Sequence, residues 1–277
     1  MKQEVTDQEA QHQQDLKRIR NFRLMDDDFM NACLDNNTEA TELLLRIILN
    51  RNDIKVNSVK TQKLMKNLQG RDIWLDIDAE DMEGKRFDIE VQRSDKGADR
   101  KRARYHSSIM DAHLLHPKDD FCKLPDTYVI FITERDVLGD GEPLYVIERK
   151  INSTGKPFDD GTHIIYVNGE NRTDASELGK LMHDFFCTNP DDMFYKELAE
   201  KARYFKENPK GVTTMCKALE DMRNEVAMQT AEQTKIQMAI EMIRDGELSL
   251  EKVAQYSKLA IDKVKELAAS YGTTPVQ

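Results

Sequence analysis

Long apolar runs are missing from this chain. No stretch approaches the roughly 18 apolar residues that a membrane-spanning helix requires, and the first residues lack the short apolar segment of a secretory signal. Membrane spanning and secretion are therefore not expected, and a cytoplasmic location is. Cysteine is sparse: Cys33, Cys122, Cys187 and Cys216 lie far apart, with no CxxC spacing and no histidine at metal-ligand intervals. That speaks against a zinc site and leaves them as reduced packing residues. Net positive charge is also lacking, since 41 Lys and Arg stand against 51 Asp and Glu, a formal charge of −10. Any nucleic-acid site must then be local rather than a basic coat. No internal repeat is evident, and 277 residues suit one large domain or two modest ones.

Residues 1–20 are polar and Gln-rich without a sustained apolar stripe, which predicts an N-terminal arm, frayed or a solvated helix, outside the core. In "TEATELLLRIILNR", Leu43, Leu44, Ile47 and Ile48 share a face and Thr38 is placed to cap, so an amphipathic helix carrying Glu42 is expected. Strands are expected at "TYVIFIT", "PLYVIER" and "THIIYVN", and helices at "DRKRARYHSSIMDAHLL" and "ASELGKLMHDFF". The alternation predicts an α/β core over residues 21–207. Strand signals then stop, and the "KENPKG" turn leads into an all-helical region over 208–277, in which Met215, Met222, Met228, Met238 and Met242 read as bundle filling.

Between 71 and 92 the period becomes two. Ile73, Leu75, Ile77 and Ala79 alternate with Trp74, Asp76, Asp78 and Glu80; Phe87, Ile89 and Val91 alternate with Asp88, Glu90 and Gln92. Two half-buried strands follow, joined by a hairpin over Met82, Glu83 and Gly84 in which the glycine supplies a positive φ. Keeping the apolar residues on one face restricts the register to partners whose numbers add to an even total. This loop sets Ala79 against Phe87, Ile77 against Ile89, Asp78 against Asp88 and Asp76 against Glu90; a slip of two would set Asp78 against Glu90. Opposed like charges destabilise an antiparallel pair unless positive charge lies between them. A divalent cation held by converging carboxylates meets that need. The plainer reading is a polar strand face exposed to water.

The flanks differ in sign. Residues 46–71 hold seven bases, including Arg46, Arg51, Lys55, Lys63 and Arg71, against Asp53 alone. Residues 93–104 hold six, Arg93, Lys96, Arg100, Lys101, Arg102 and Arg104, against Asp95 and Asp99, whereas residues 72–90 hold eight acids and two bases. An acidic centre between cationic segments suits phosphodiester chemistry, with metal at the scissile phosphate and Lys or Arg on its neighbours. A charge run taken alone is more often a solvated face.

At these residues the chain resembles the PD-(D/E)XK nuclease superfamily, whose signature is an acid on one strand, an acid-x-Lys triplet on the next, and a following helix. "LDID" supplies Asp76, "IEVQ" supplies Glu90 and Gln92, and "RKRARYHSSIMD" follows as the helix. The resemblance is closer to the Rpn recombination-promoting nucleases, also called PD-(D/E)XK family transposases. Over roughly residues 22–205 it is carried by "MDDDFMNACLDN", "GRDIWLDIDAEDMEGKRFDIEVQR", "RARYHSSIMDAHLL", "FITERDVLGDGEPLYVIER" and "PFDDGTHIIYVNG". It implies a restriction-endonuclease-like α/β fold, a central mixed sheet flanked by helices, and DNA cleavage with Mg²⁺ or Mn²⁺. Carried over, Asp76 and Glu90 bind metal, Gln92 stands in the lysine's place, and Glu42 matches an acid on the first helix, as a base or extra ligand. Glutamine at the lysine position is usual in the Rpn-like group. It offers dipoles without charge, so a slow or weakly specific nuclease is expected, with cationic help from Lys101, Arg102 or Arg104.

Arg71, Arg93, Lys101, Arg102, Arg104 and Tyr105 are the candidate DNA contacts; for Tyr105 packing is slightly favoured over a phosphate contact. A metal pair of His106 with His113 is a lesser reading, and His163 and His183 read as structural. "DGELSLEKVAQYSKLAIDKVKELA" loosely resembles a helix-turn-helix, with Ser249 as N-cap and no glycine in its turn, in a net acidic tail. A helical hairpin for self-association into a homo-oligomer, or for target capture, is therefore favoured over major-groove reading. Two other functions remain open at this level: a DNA-binding or partner-binding module without turnover, and an RNA-directed nuclease.

Overall fold

Alternation and one glycine set the centre of the molecule. The computed structural model describes residues 2–67 and 70–271. Strand β1 (Val56–Met65) is followed by β2 (Ile73–Asp81) and β3 (Arg86–Gln92). The Asp81 carboxylate accepts the N–H groups of Glu83 and Lys85, and Gly84 takes a φ of 83°, so the chain reverses over the predicted loop. As far as the ladder runs the register is the expected one, with Ile77 paired to Ile89, Asp78 to Asp88 and Ala79 to Phe87, but the expected Asp76–Glu90 pair lies beyond its end.

Strands β4 (Thr127–Thr133), β5 (Leu144–Ile147) and β6 (Thr162–Asn168) complete a mixed sheet in the order β1-β2-β3-β4-β6-β5. β3, β4 and β6 run parallel, while β1 and β5 form antiparallel edges. The unbroken apolar run of β4 reflects burial along its whole length. β1 is unannounced by the sequence because Asn57, Ser58, Lys60, Thr61, Gln62 and Lys63 erase any alternation, as an edge strand with a wet side permits.

Helices α1 (Lys2–Asn21), α2 (Asp27–Leu34) and α3 (Thr38–Leu49) precede the sheet, and α4 (Arg100–Leu114) makes the crossover that parallel β3 and β4 require. Ala103, Ile109 and Met110 of α4 pack with Val129 and Phe131 of β4 and with Ile73 and Leu75 of β2. Phe87, Ile89 and Val91 are buried on the alternate side of β3, while α2 and α3 lie against β1. Asn37, rather than Thr38, caps α3 by accepting the Ala40 N–H. Helices α5 (Glu177–Phe186) and α6 (Lys196–Glu207) follow β6. Of the two forms expected for the N-terminal arm the helix is the one present, as α1, but its end is core rather than solvated, with Ile19 buried and α1 against α6. The Lys206 ammonium joins these pieces by donating to the carbonyls of Arg20, Phe22 and Thr188.

The chain forms two compact units, Met1–Cys216 and Lys217–Gln277, dividing within α7 (Pro209–Asp245), just past the "KENPKG" turn. The second unit has its own core, built from Ala239 and Ile240, from Val253 of α8 (Leu250–Ser257), and from Leu259, Val264 and Leu267 of the turn and α9 (Ile261–Tyr271). Ser249 caps α8 through the Lys252 N–H, and Lys258, with a φ of 58°, takes the left-handed position a glycine often fills. Met215 and Met242 pack as expected, but Met228 and Met238 are exposed.

Candidate active site

Beyond Ile77 and Ile89 the ladder between β2 and β3 opens. Acid side chains take up the backbone groups released there. The Asp76 N–H donates to Glu90 Oε1 at 3.0 Å, and the Val91 N–H donates to Asp76 Oδ2 at 3.1 Å. The two carboxylates thus converge in the fork between the strands. β1 is irregular at the same level, where Gln62 has a φ of 51° between the pairs Thr61–Ile77 and Lys63–Leu75. Such left-handed backbone in a non-glycine residue costs on the order of 1–3 kcal/mol and collects at working sites.

The reading of Asp88 and Glu90 as a wet strand face is overturned, since both are fully buried. Arg102 and His106, one turn apart on α4, cover them. Arg102 reaches Glu90 Oε2 at 2.6 Å and donates to the Gly97 carbonyl at 3.0 Å. Its Nε donates to His106 Nε2 at 3.2 Å, which assigns the remaining ring proton to Nδ1, 2.8 Å from Asp88 Oδ2. Burial holds the His106 pKa below its usual value, consistent with this neutral tautomer. Across the hairpin, Asp78 is bound by Arg86 and by Lys63 at 2.6 Å each, so the protein's own cations relieve part of the repulsion between Asp78 and Asp88.

Arg102 offsets only part of the remaining negative charge, and burial dominates. Burial and then the neighbouring Glu90 push Asp76 up to about 7. Burial and then Asp88 push Glu90 up to about 8, and burial raises Asp88 well above the carboxylate range. Asp88 Oδ1 is buried without a hydrogen-bond partner, and ligand atoms of Asp88, Glu90 and His106 lie within 4.8 Å of one another. Crowded oxygen donors with an unsatisfied acceptor are what a hard divalent cation satisfies, so the residues present fit one.

Gln92 closes the strand beside this cluster. Its Oε1 lies so near Gly97 that an added Cβ there would come within 1.9 Å, and its Nε2 makes only a long contact, 3.4 Å, to Glu90. Glu42 is not at the site. It bonds to Arg46 at 2.6 Å, to Lys55 and to the Val56 N–H, at the level of Asp81, roughly 16 Å along β2 from Asp76 at the rise of a strand. The acid that α2 brings near Asp76 is instead Asp27, whose own pKa is raised, first by burial and then by Asp28.

Among the expected DNA contacts, Arg93 is tied to Asp26 at 2.8 Å and Glu134 at 3.4 Å. The Tyr105 hydroxyl donates to the Arg71 carbonyl at 2.6 Å and accepts from Asn67. Arg71, Lys101 and Arg104 line an open cleft over α4 and make no ion pair among the described residues. His113 turns from His106 to the Lys66 carbonyl, which removes the two-histidine metal reading. Sequence reasoning gave Asp88 no site role beyond the opposed acids and weighed His106 only with His113; the period-two spacing of Asp88 with Glu90 and the four-residue spacing of Arg102 with His106 were the available signals.

A mixed sheet that forks at an aspartate, carries acid-x-Gln on the next strand and is backed by a crossover helix is a restriction-endonuclease-like fold. The model of the PD-(D/E)XK nuclease family transposases matches residues 32–252, and the chain belongs to that family. No curated protein and no solved structure matches.

Proposed function

We propose that the protein is a divalent-metal-dependent DNA endonuclease of the recombination-promoting, transposase-associated kind. The observation that carries this reading is the convergence of Asp76 and Glu90 where β2 and β3 part. Asp76 and Glu90 hold Mg²⁺ or Mn²⁺, with Asp88 and its His106 partner behind them. A cation bound there lowers the pKa of water and offsets charge developing on the phosphate. The Gln92 amide orients the attacking water. Arg71, Lys101 and Arg104 meet neighbouring phosphates, and Arg102 moves its guanidinium from Glu90 toward the scissile group. A cytoplasmic location and self-association through α8 and α9 complete the proposal.

Incubating the protein with supercoiled plasmid and Mg²⁺ or Mn²⁺ tests it. We expect nicking that EDTA stops and that Asp76→Asn or Glu90→Gln lowers by more than about 100-fold. Nicking that survives either substitution would falsify the assignment. The competing reading, a DNA-binding module without turnover, draws support from the neutral Gln92 and from the Arg102–Glu90 bridge. It requires DNA retention in EDTA and intact plasmid under every metal. Faster cleavage of RNA in direct competition would favour an RNA-directed nuclease.

A further inference from the structure

Trp74 is the only tryptophan of the chain, and it is 54% exposed. Its neighbours on β2, Ile73 and Leu75, are buried, so strand alternation turns the indole outward. It precedes Asp76 by two residues, roughly 6.6 Å at the rise of a strand. Leu64, the residue opposite on β1, is also exposed and gives the indole an apolar flank.

The surroundings are cationic although the protein is net acidic. Trp74 lines a cleft of about 1010 Å³ together with Arg71, Lys101, Arg102, Arg104 and Tyr105. Its two acids are engaged by backbone: Asp72 accepts the Asn67 N–H at 2.7 Å, and Asp99 accepts the Lys101 N–H at 2.7 Å. Arg102 belongs both to this cleft and to the carboxylate cluster, so the cleft is continuous with the candidate centre.

An exposed indole among phosphate-binding cations is a stacking platform for a nucleobase. In a duplex each base face is covered by its neighbours, so only an unpaired base presents a free face to Trp74. We propose that the cleft binds single-stranded or locally unpaired DNA, with Trp74 stacking on a base beside the phosphate addressed by Asp76 and Glu90. This inference rests on the nuclease reading for its choice of DNA and deepens it to a substrate class.

The test is a binding measurement in EDTA, where no cleavage is expected. Because Trp74 is the sole indole, fluorescence excited where tryptophan but not tyrosine absorbs reports on this cleft alone. Oligodeoxythymidylate should quench it saturably, and a blunt duplex of equal length should quench it far less. By anisotropy of a labelled strand, Trp74→Ala should weaken single-strand binding by roughly 5- to 150-fold, Trp74→Phe should recover much of it, and duplex binding should change little. Equal quenching by duplex, or an unchanged affinity of Trp74→Ala, would overturn the proposal. Stronger quenching by the matching RNA would overturn its assignment to DNA. Quenching without plasmid nicking would remove the nuclease reading and leave the platform standing, whereas nicking without quenching would do the reverse.

Discussion

Asp76 held at about 7 and Glu90 at about 8 keep protons in the folded protein that an unfolded chain, with ordinary values of 3.8 and 4.5, has already released. Below about pH 4 both states are protonated and the groups do not alter stability. Above it the folded state binds more protons, so raising the pH through the folded values destabilises the metal-free protein. The midpoint of thermal unfolding in EDTA is expected to fall between about pH 5 and about pH 8 and then level off. Mn²⁺ needs the ionised carboxylates, so its stabilising effect should grow across the same window. Asp76→Asn should flatten both curves; a metal-free midpoint that rises with pH would show that these carboxyls are not held up by burial.

Among the elements, the short 3₁₀ turn Asp95–Ala98 between β3 and α4 controls Gln92. Gly97 does not adopt a positive φ, so its backbone tolerates alanine, but the new methyl would displace the Gln92 amide. Gly97→Ala should leave circular dichroism and the unfolding midpoint nearly unchanged while lowering plasmid nicking by about 10- to 100-fold. Unchanged nicking would take Gln92 out of the mechanism. The β2–β3 hairpin was legible in the sequence because alternation and Gly84 fix its register locally. Asp27 was not, since choosing between it and Glu42 depends on which helix end meets the open ladder. The basic flanks misled in a related way. Arg46, Arg51, Lys55 and Lys63 are absorbed by Glu42, Asp53 and Asp78, and a charge count does not register pairing. β1 and the inward turn of His106 both depend on packing partners distant in sequence.

At the scale of the whole molecule, two units with separate cores predict separate unfolding. Calorimetry of the full chain should show two transitions, of which Mn²⁺ raises only the one belonging to Met1–Cys216. The shift should correspond to about 2.7 kcal/mol at 100 times the dissociation constant. A single transition that moves as a whole would mean that the units unfold together. The net charge of −10 speaks only against a uniform basic coat, and it is compatible with the gathering of Arg71, Lys96, Lys101, Arg102 and Arg104 along one cleft.

The carboxylates in the strand fork are also rungs of the sheet. Asp76 and Glu90 each accept a backbone N–H beyond the end of the paired β2–β3 ladder. Removing either side chain outright would strand a buried donor, at about 1–3 kcal/mol. An alanine variant would therefore confound lost chemistry with a loosened sheet, whereas asparagine and glutamine retain an acceptor for the same N–H. Here the choice of substitution decides whether an inactive protein reports on hydrolysis or only on architecture.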